Sequence, residues 1–560
     1  MSNTQEFSYY FRKYPLVRVA IFCGILLIAF LAYITFILAT RKVPEITEIN
    51  PPVSSSGETI SITGRNFGGM RTNSYVEING NRITPSAYTL WTDTEIKLVL
   101  PFNTNDGLLY VKTNSGKSAP MVYTSKETIP IAVETEESVP QPEIINISEK
   151  KVETGTAVTI SGNNFGTLRN GSKVFFQAQS EKTRSDEVIA ACDFDRDYIF
   201  WSNQEITVRV PDGADSGWVY VSTPAGNSNR KRLEISRANG KKSYSDKHSY
   251  VLSVKSEIKD INASENTVLT VFLPYPAESA SQRKIEAKSF EPEPAIKKIQ
   301  GTGSSGTVFY QLPVKKGNTD LISLENKFSA TVWKTETEIT AKDRKNSKLT
   351  DGYYSRLLKA DKIVPAEETE IKNLAASIVK KENSVWKKAE LIYKYLIKNF
   401  ELIQDFRPSD SLVMDVLETG AADAYDFSIL FAALSRAAGI PTVPVAGIIA
   451  GSDLKTRNHW WNEFYMEGIG WIPVDVSMGA GLEYELLDKT EDAANFYFGN
   501  IDSAHIAFSR GLNTIKSAKQ AETKVCRERV YSLQTVWEEA ASDIQSFRNK
   551  WNPIEIEAVF

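Results

Sequence analysis

The chain has 560 residues, a net charge of −4 and 24% charged residues, so it is too long for one core and has no basic excess for nucleic acid. Its 42% hydrophobic and 11% aromatic content excludes a wholly disordered chain. Three cysteines, Cys23, Cys192 and Cys526, are too few and too scattered for a disulfide framework.

The first element is the uncharged run Val19–Ala39, "VAIFCGILLIAFLAYITFILA". At about 1.5 Å per residue it is long enough to span a bilayer, and it exceeds the short apolar core of a cleaved signal peptide. It therefore predicts a short cytoplasmic tail (1–18) and a transmembrane helix (19–39). The protein is then expected to be single-pass in the cell membrane, with the bulk of the chain extracytoplasmic, in the periplasm or at the cell surface.

An internal repeat follows. "SITGRNFG" (Ser61–Gly68) returns as "TISGNNFG" (Thr159–Gly166), "WTDTEIKLVLP" (Trp91–Pro101) as "WSNQEITVRVP" (Trp201–Pro211), and "GLLYVKTNSGKS" (Gly107–Ser118) as "GWVYVSTPAGNS" (Gly217–Ser228). The offset grows from 98 to 110 residues, so the second copy carries an insertion of 12, placed within "AQSEKTRSDEVIAACDFDRD". Apolar and polar residues alternate between Gly, Asn and Pro turns, as in half-buried strands of a sandwich. The glycine of "NFG" fits a turn with φ > 0. Both copies resemble IPT/TIG domains, over 44–124 and 140–237, which implies modules that space or bind. An acidic linker, "SKETIPIAVETEESVPQ", separates them. Residues 245–341 read as further strands, forming a third β-sandwich.

From Tyr353 the period becomes helical. Ala389, Ile392, Tyr393, Leu396 and Ile397 share one face. Phe427, Leu430, Phe431 and Leu434 form the buried face of a helix spanning 424–438, with Gly439 as its stop. "NHWWNEFYMEGIGWIPVDVS" (Asn458–Ser477) reads as a hairpin turning at Gly468. That fold brings His459 within about one strand step of Asp475.

The order Asp426-Phe427-Ser428, then Arg436 to Pro441, then His459 with Trp461, Glu463 and Tyr465, then Gly470-Trp471 with Asp475 resembles the transglutaminase-like superfamily of papain-like cysteine hydrolases, over 353–510. The resemblance implies a thiol at a helix N-terminus, with a histidine and an aspartate to complete a triad. His459 and Asp475 fill two places. The nucleophile position is Ala424, a methyl group, so the first place is vacant. Asp426, Trp461, Glu463 and Trp471 are the expected groove or supporting residues. The three histidines, His248, His459 and His505, lie far apart in sequence, so no metal site and no cofactor is expected. Leu533, Trp537, Ala540, Ile544, Phe547 and Trp551 follow helical spacing, which predicts an amphipathic C-terminal helix within 511–560.

The expected fold is thus multidomain: a transmembrane helix, tandem immunoglobulin-like β-sandwiches, and an α+β transglutaminase-like (papain-like) core with a C-terminal helix. The expected function is that of a pseudoenzyme, a membrane-anchored scaffold that binds a protein or peptide outside the cytoplasm. A cysteine replaced by alanine would give the same sequence. Position 424 would then belong to an active cysteine protease or amidase acting on extracytoplasmic protein or wall peptides.

Overall fold

The computed structural model describes residues 13–560 except 41, 56, 102–103, 105–106, 126–139, 170, 180–186, 194, 294–295, 301–305, 318–319, 341–351, 485–489 and 516–522. Nearly all of the acidic linker and part of the insertion therefore lie outside the described residues. The chain divides into two compact units, Met1–Pro130 and Ile131–Phe560.

In the first unit the apolar run forms the α-helix Pro15–Thr40. Among the described residues no helix is long and apolar enough to cross a membrane. The transmembrane helix expected at 19–39 is corrected accordingly.

The same unit holds the first sandwich. One sheet runs in the order Glu45–Asn50, Thr59–Arg65, Glu95–Val99, Tyr88–Trp91; the other contains Met121–Ser125, Gly107–Thr113 and Tyr75–Ile78. Alternation drives this arrangement: Ile60, Ile62, Ile96 and Leu98 point into the core between the sheets and are fully buried. The second unit begins with the same topology in the second copy, around Val158, Ile160, Ile206 and Val208. Part of the insertion becomes the edge strand Val188–Ala190, paired with Lys173–Ala178.

Gly68 and Gly166 have φ of +87° and +89°, as the "NFG" turn requires. Gly64 and Gly162 matter for a different reason. An added Cβ there would run into a strand backbone, the carbonyl of Glu45 or Glu143, and into the ring of Phe67 or Phe165.

The third sandwich is not closed by residues 245–341 alone. Its sheets contain Gly240–Ala263, Ile322–Ile339 and Gln282–Glu291 on one side and Thr267–Tyr275 and Gly306–Val314 on the other. The C-terminal segment completes both. Ile544–Trp551 and Glu555–Val559 pair with Gly240–Ala263, and Glu538–Ala540 pairs with Thr267–Tyr275. The expected C-terminal helix is therefore corrected to strands. Ile544, Phe547, Asn549 and Trp551 alternate with exposed residues along one strand, and the fully buried Trp537 joins the sandwich core. A spacing of three and four fits an isolated helix, but two sheets with open edges capture the segment as strands.

Between these two halves of the sandwich lies the α+β core. Helices Thr369–Val379, Val385–Asn399 and Ala424–Ala437 pack on an antiparallel sheet ordered Gly470–Val474, Thr456–Met466, Thr442–Ala450, His505–Arg510. Gly439, at φ +83°, ends the central helix as expected. The hairpin pairs Met466 with Gly470 and Asn462 with Val474.

The steric role of the two glycines gives a direct test. Gly162→Ala and Gly64→Ala should each destabilise their own module by about 1–3 kcal/mol through overpacking against the neighbouring strand. Urea unfolding followed by hydrogen exchange of each module measures this, and loss of protection in the other module would contradict it.

Candidate functional site

The central helix starts with a reciprocal cap. Asp423 accepts from the Asp426 N–H at 2.9 Å, and Asp426 accepts from the Asp423 N–H at 3.2 Å. Two arginines share these carboxylates. Arg529 donates to Asp423 at 2.5 Å and to Asp426 at 2.8 Å, and Arg407 donates to Asp426 at 2.9 Å. Arg529 also lies over the Tyr425 ring at 4.6 Å. Burial and Asp426 together hold the Asp423 carboxyl above its ordinary range, against the pull of Arg529. Ala424 occupies the first turn at 2% exposure.

The helix is fixed on the hairpin next to His459. Tyr425 meets Trp460 edge-on at 5.6 Å, Ser428 donates to the Trp461 carbonyl at 2.9 Å, and Asn462 donates to the Ser428 carbonyl at 3.0 Å. His459 Nε2 and Asp475 Oδ2 are 2.5 Å apart, so these two sequence-derived residues do meet. Asp475 caps the turn that follows its strand, accepting at Oδ1 from Ser477 Oγ (2.8 Å) and the Met478 N–H (2.9 Å).

Sequence reasoning missed the next partner. His505 Nε2 lies 3.2 Å from the same Asp475 Oδ2, and its Nδ1 lies 2.7 Å from Asp502. Thus one carboxylate oxygen serves two histidines. The signal was present but unreadable. His505 is 30 residues beyond Asp475, and only the sheet order, with its strand beside Thr442–Ala450, brings it there.

His459, Asp475 and His505 are buried, and Asp502 is half-buried. Burial lowers His459 below its ordinary value, more than Asp475 raises it. Burial also acts against His505⁺, but Asp502 and Asp475 outweigh it and lift His505 to about 9. Asp475 is held well below the usual carboxylate range: its two histidines more than offset its burial. At neutral pH, therefore, His505 is the cation of the cluster and His459 is neutral.

His459 and His505, which lie far apart in sequence, come together in the fold. His459, Asp475 and His505 bring one ligand atom each within 4.8 Å of one another, so three metal-ligating groups do converge. Their present bonding is protonic. Both ring nitrogens of His505 face carboxylates, which fits an imidazolium without a lone pair to offer a metal.

The expected groove residues are core residues. Trp461 and Trp471 are each 4% exposed. Trp461 stacks on His459 with ring centroids 6.1 Å apart and packs with Ala277, Ile501 and Ala507. Glu463 is bound by Arg510 at 2.8 Å, which also reaches Asp195 of the insertion at 3.2 Å. Asp212 of the second sandwich accepts from the Trp471 N–H at 3.1 Å and pairs with the buried Lys242. Among the described residues Cys192 and Cys526 form no disulfide, and neither joins the cluster.

The fold and this geometry agree with two family models: Transglutaminase-like superfamily over residues 372–476, and IPT/TIG domain over 44–125 and 142–250. The chain carries a transglutaminase-like core and two IPT/TIG domains. A Haemophilus influenzae protein is 30% identical over 168 residues, covering 25% of this chain and 46% of its own length. The chain thus spans about half the length of that curated relative. Among solved structures, a candidate cysteine protease from Cytophaga hutchinsonii is 15% identical, with a TM-score of 0.38 over 57% of this chain and 92% of that one. The periplasmic domain of TgpA from Pseudomonas aeruginosa is 13% identical, with a TM-score of 0.25 over 40% of this chain and 87% of that one. The assignment rests on the family models and on the motif residues, not on these distant overlays.

The transglutaminase-like core should show the charge on His505 in its stability. Its folded pKa lies above the unfolded value of about 6.5. The stabilisation is therefore complete below about pH 6.5 and is lost as pH rises through about 9. Denaturant unfolding from pH 6 to 10 should show an alkaline fall on the order of 3 kcal/mol from this group. His505→Gln should remove most of that slope; a slope unchanged in the variant would refute the assignment.

Proposed function

We propose that this protein is a pseudoenzyme, a scaffold whose transglutaminase-like core no longer performs thiol chemistry and binds a protein or peptide partner. The observation that carries the reading is Ala424 at the start of the central helix. A methyl group cannot attack a carbonyl, and none of the neighbouring groups supplies a nucleophile. Asp423 and Asp426 are bound by arginines. Tyr425 is packed beneath Arg529, and Ser428 spends its hydroxyl on the Trp461 carbonyl.

Two further features support the reading. A triad aspartate serves one histidine, orienting it and stabilising its charged form. Asp475 divides that role between His459 and His505. The loops of the second IPT/TIG domain also contact the hairpin that carries the triad remnants, through the Trp471 N–H donated to Asp212 and the bridge between Thr154 and Gly468, and they contact the strand His505–Arg510 through Asp195–Arg510.

The test is chemical. The purified protein should show no iodoacetamide-sensitive amidase, protease or amide-transfer activity. Ala424→Cys should remain inactive, and its thiol should alkylate more slowly than the exposed Cys526, because burial and the flanking carboxylates disfavour a thiolate. Thiol-dependent turnover by the unmodified protein would sink the reading. Turnover by the variant would show that the sulfur alone is missing.

The reading includes an extracytoplasmic location for the β-modules and the core, in line with tandem sandwiches of this kind. A C-terminal alkaline phosphatase fusion should then be active. An inactive phosphatase alongside a fluorescent C-terminal green fluorescent protein fusion would place the modules in the cytoplasm instead.

A further inference from the structure

The insertion that distinguishes the second IPT/TIG domain builds one wall of a cavity of about 670 Å³. Its edge strand Val188–Ala190 and the loop through Cys192 face Ser279–Lys284 and Trp333 of the third sandwich. This volume is that of a small-molecule site. The first copy has only Asn81–Arg82 at the corresponding edge, so the cavity belongs to the second copy alone.

Its charges are unbalanced once the ion pairs are taken out. Asp193 is paired with Arg169, Asp195 with Arg510, and Asp212 with Lys242; Glu187 lies 3.9 Å from Lys247. Among the described residues Lys173, Arg283 and Lys284 make no ion pair, Glu187 and Asp212 act on Arg283 only through space, and Glu278 is the remaining lining acid. Arg283 is the unusual one. It is 8% exposed, it lies against the rings of Tyr244 and Trp333 at 5.0 and 4.9 Å, and its Nε donates to the Ala280 carbonyl at 2.6 Å. Its Nη2 is buried with no hydrogen-bond partner. A buried guanidinium N–H left unpaired is costly. Contacts with two aromatic rings fix the plane of the group and direct its recognition to the edge, where a planar carboxylate fits.

We propose that this cavity binds a small ligand through a carboxylate, with Arg283 as the anchor, Lys173 and Lys284 at the rim, and Phe175 and Trp333 as apolar walls. The site is separate from Ala424 and stands whether or not the core is active. The carboxylate has two chemical sources, a peptide terminus and a sugar acid.

Cys192, a half-buried cysteine outside any disulfide on the cavity wall, reports occupancy in the full chain. Its labelling by a thiol reagent is followed by mass spectrometry, with exposed Cys526 as the internal reference. The probes are trialanine and its C-terminal amide, and D-glucuronate and glucose. One acid should slow Cys192 labelling at millimolar concentration while its neutral counterpart does not, and which acid does so identifies the source. Arg283→Gln should weaken protection by about tenfold or more, and the exposed Lys284→Gln by about threefold, since hydrogen bonds to charged groups exceed screened rim charges. Ala190→Trp, which fills the cavity and keeps every charge, should abolish it. Protection by neither acid, equal protection by the neutral probes, protection unchanged in a folded Arg283→Gln, or protection unchanged in both Lys284→Gln and Ala190→Trp would overturn the proposal.

Discussion

One carboxylate oxygen, Asp475 Oδ2, organises the centre of this molecule. It meets His459 from one strand and His505 from another, while Oδ1 of the same group caps the turn that leads away. A buried carboxylate is tolerated only when its charge is matched and its lone pairs are filled. Here the match comes from His505, which Asp502 secures from the other side. The hairpin, the strand His505–Arg510 and the Tyr497–Asp502 segment are therefore held by one network. The network is electrostatically complete without a thiolate. An active cysteine site needs the opposite condition, an imidazolium whose counter-charge is the nucleophile itself.

A second buried ionic group does the same for the helix start. Arg529 binds both capping carboxylates and covers Tyr425. It comes from the segment just ahead of the C-terminal strands, so the position where a nucleophile would stand is tied to the closure of the third sandwich. Removing one partner of such a buried group leaves an uncompensated charge and is strongly destabilising. The helix start thus has a structural demand of its own, which accounts for a motif aspartate such as Asp426 independently of any catalysis.

These two networks explain how far the sequence could be read. The hairpin was legible because its partners are close in the chain and "MEGIG" marks the turn, so the meeting of His459 and Asp475 follows from register. The repeat and its 12-residue insertion were legible because two copies can be aligned within one sequence. His505 and Arg529 were not, since their roles depend on the order of strands in a sheet, which no local pattern encodes. The C-terminal segment misled for a related reason. Leu533, Trp537, Ala540 and Ile544 satisfy a helical period, but the buried face they need is a pair of open sheet edges some 270 residues earlier. The apolar run at the N-terminus was legible as helix, and not beyond that.

The closing of the sandwich by the C-terminus has a mechanical consequence. Gly240–Ala263 pairs with Ile544–Trp551, so the transglutaminase-like core is a long insertion between two halves of one β-domain. Its entry and exit are both anchored in sheets, and the second IPT/TIG domain holds the hairpin through Asp212 and Arg510. Such long-range pairing is slow to form, but it leaves the core braced from several sides. Groove opening in a hydrolase requires parts that move relative to one another. In this chain the parts that would have to move are the ones joined by buried ion pairs.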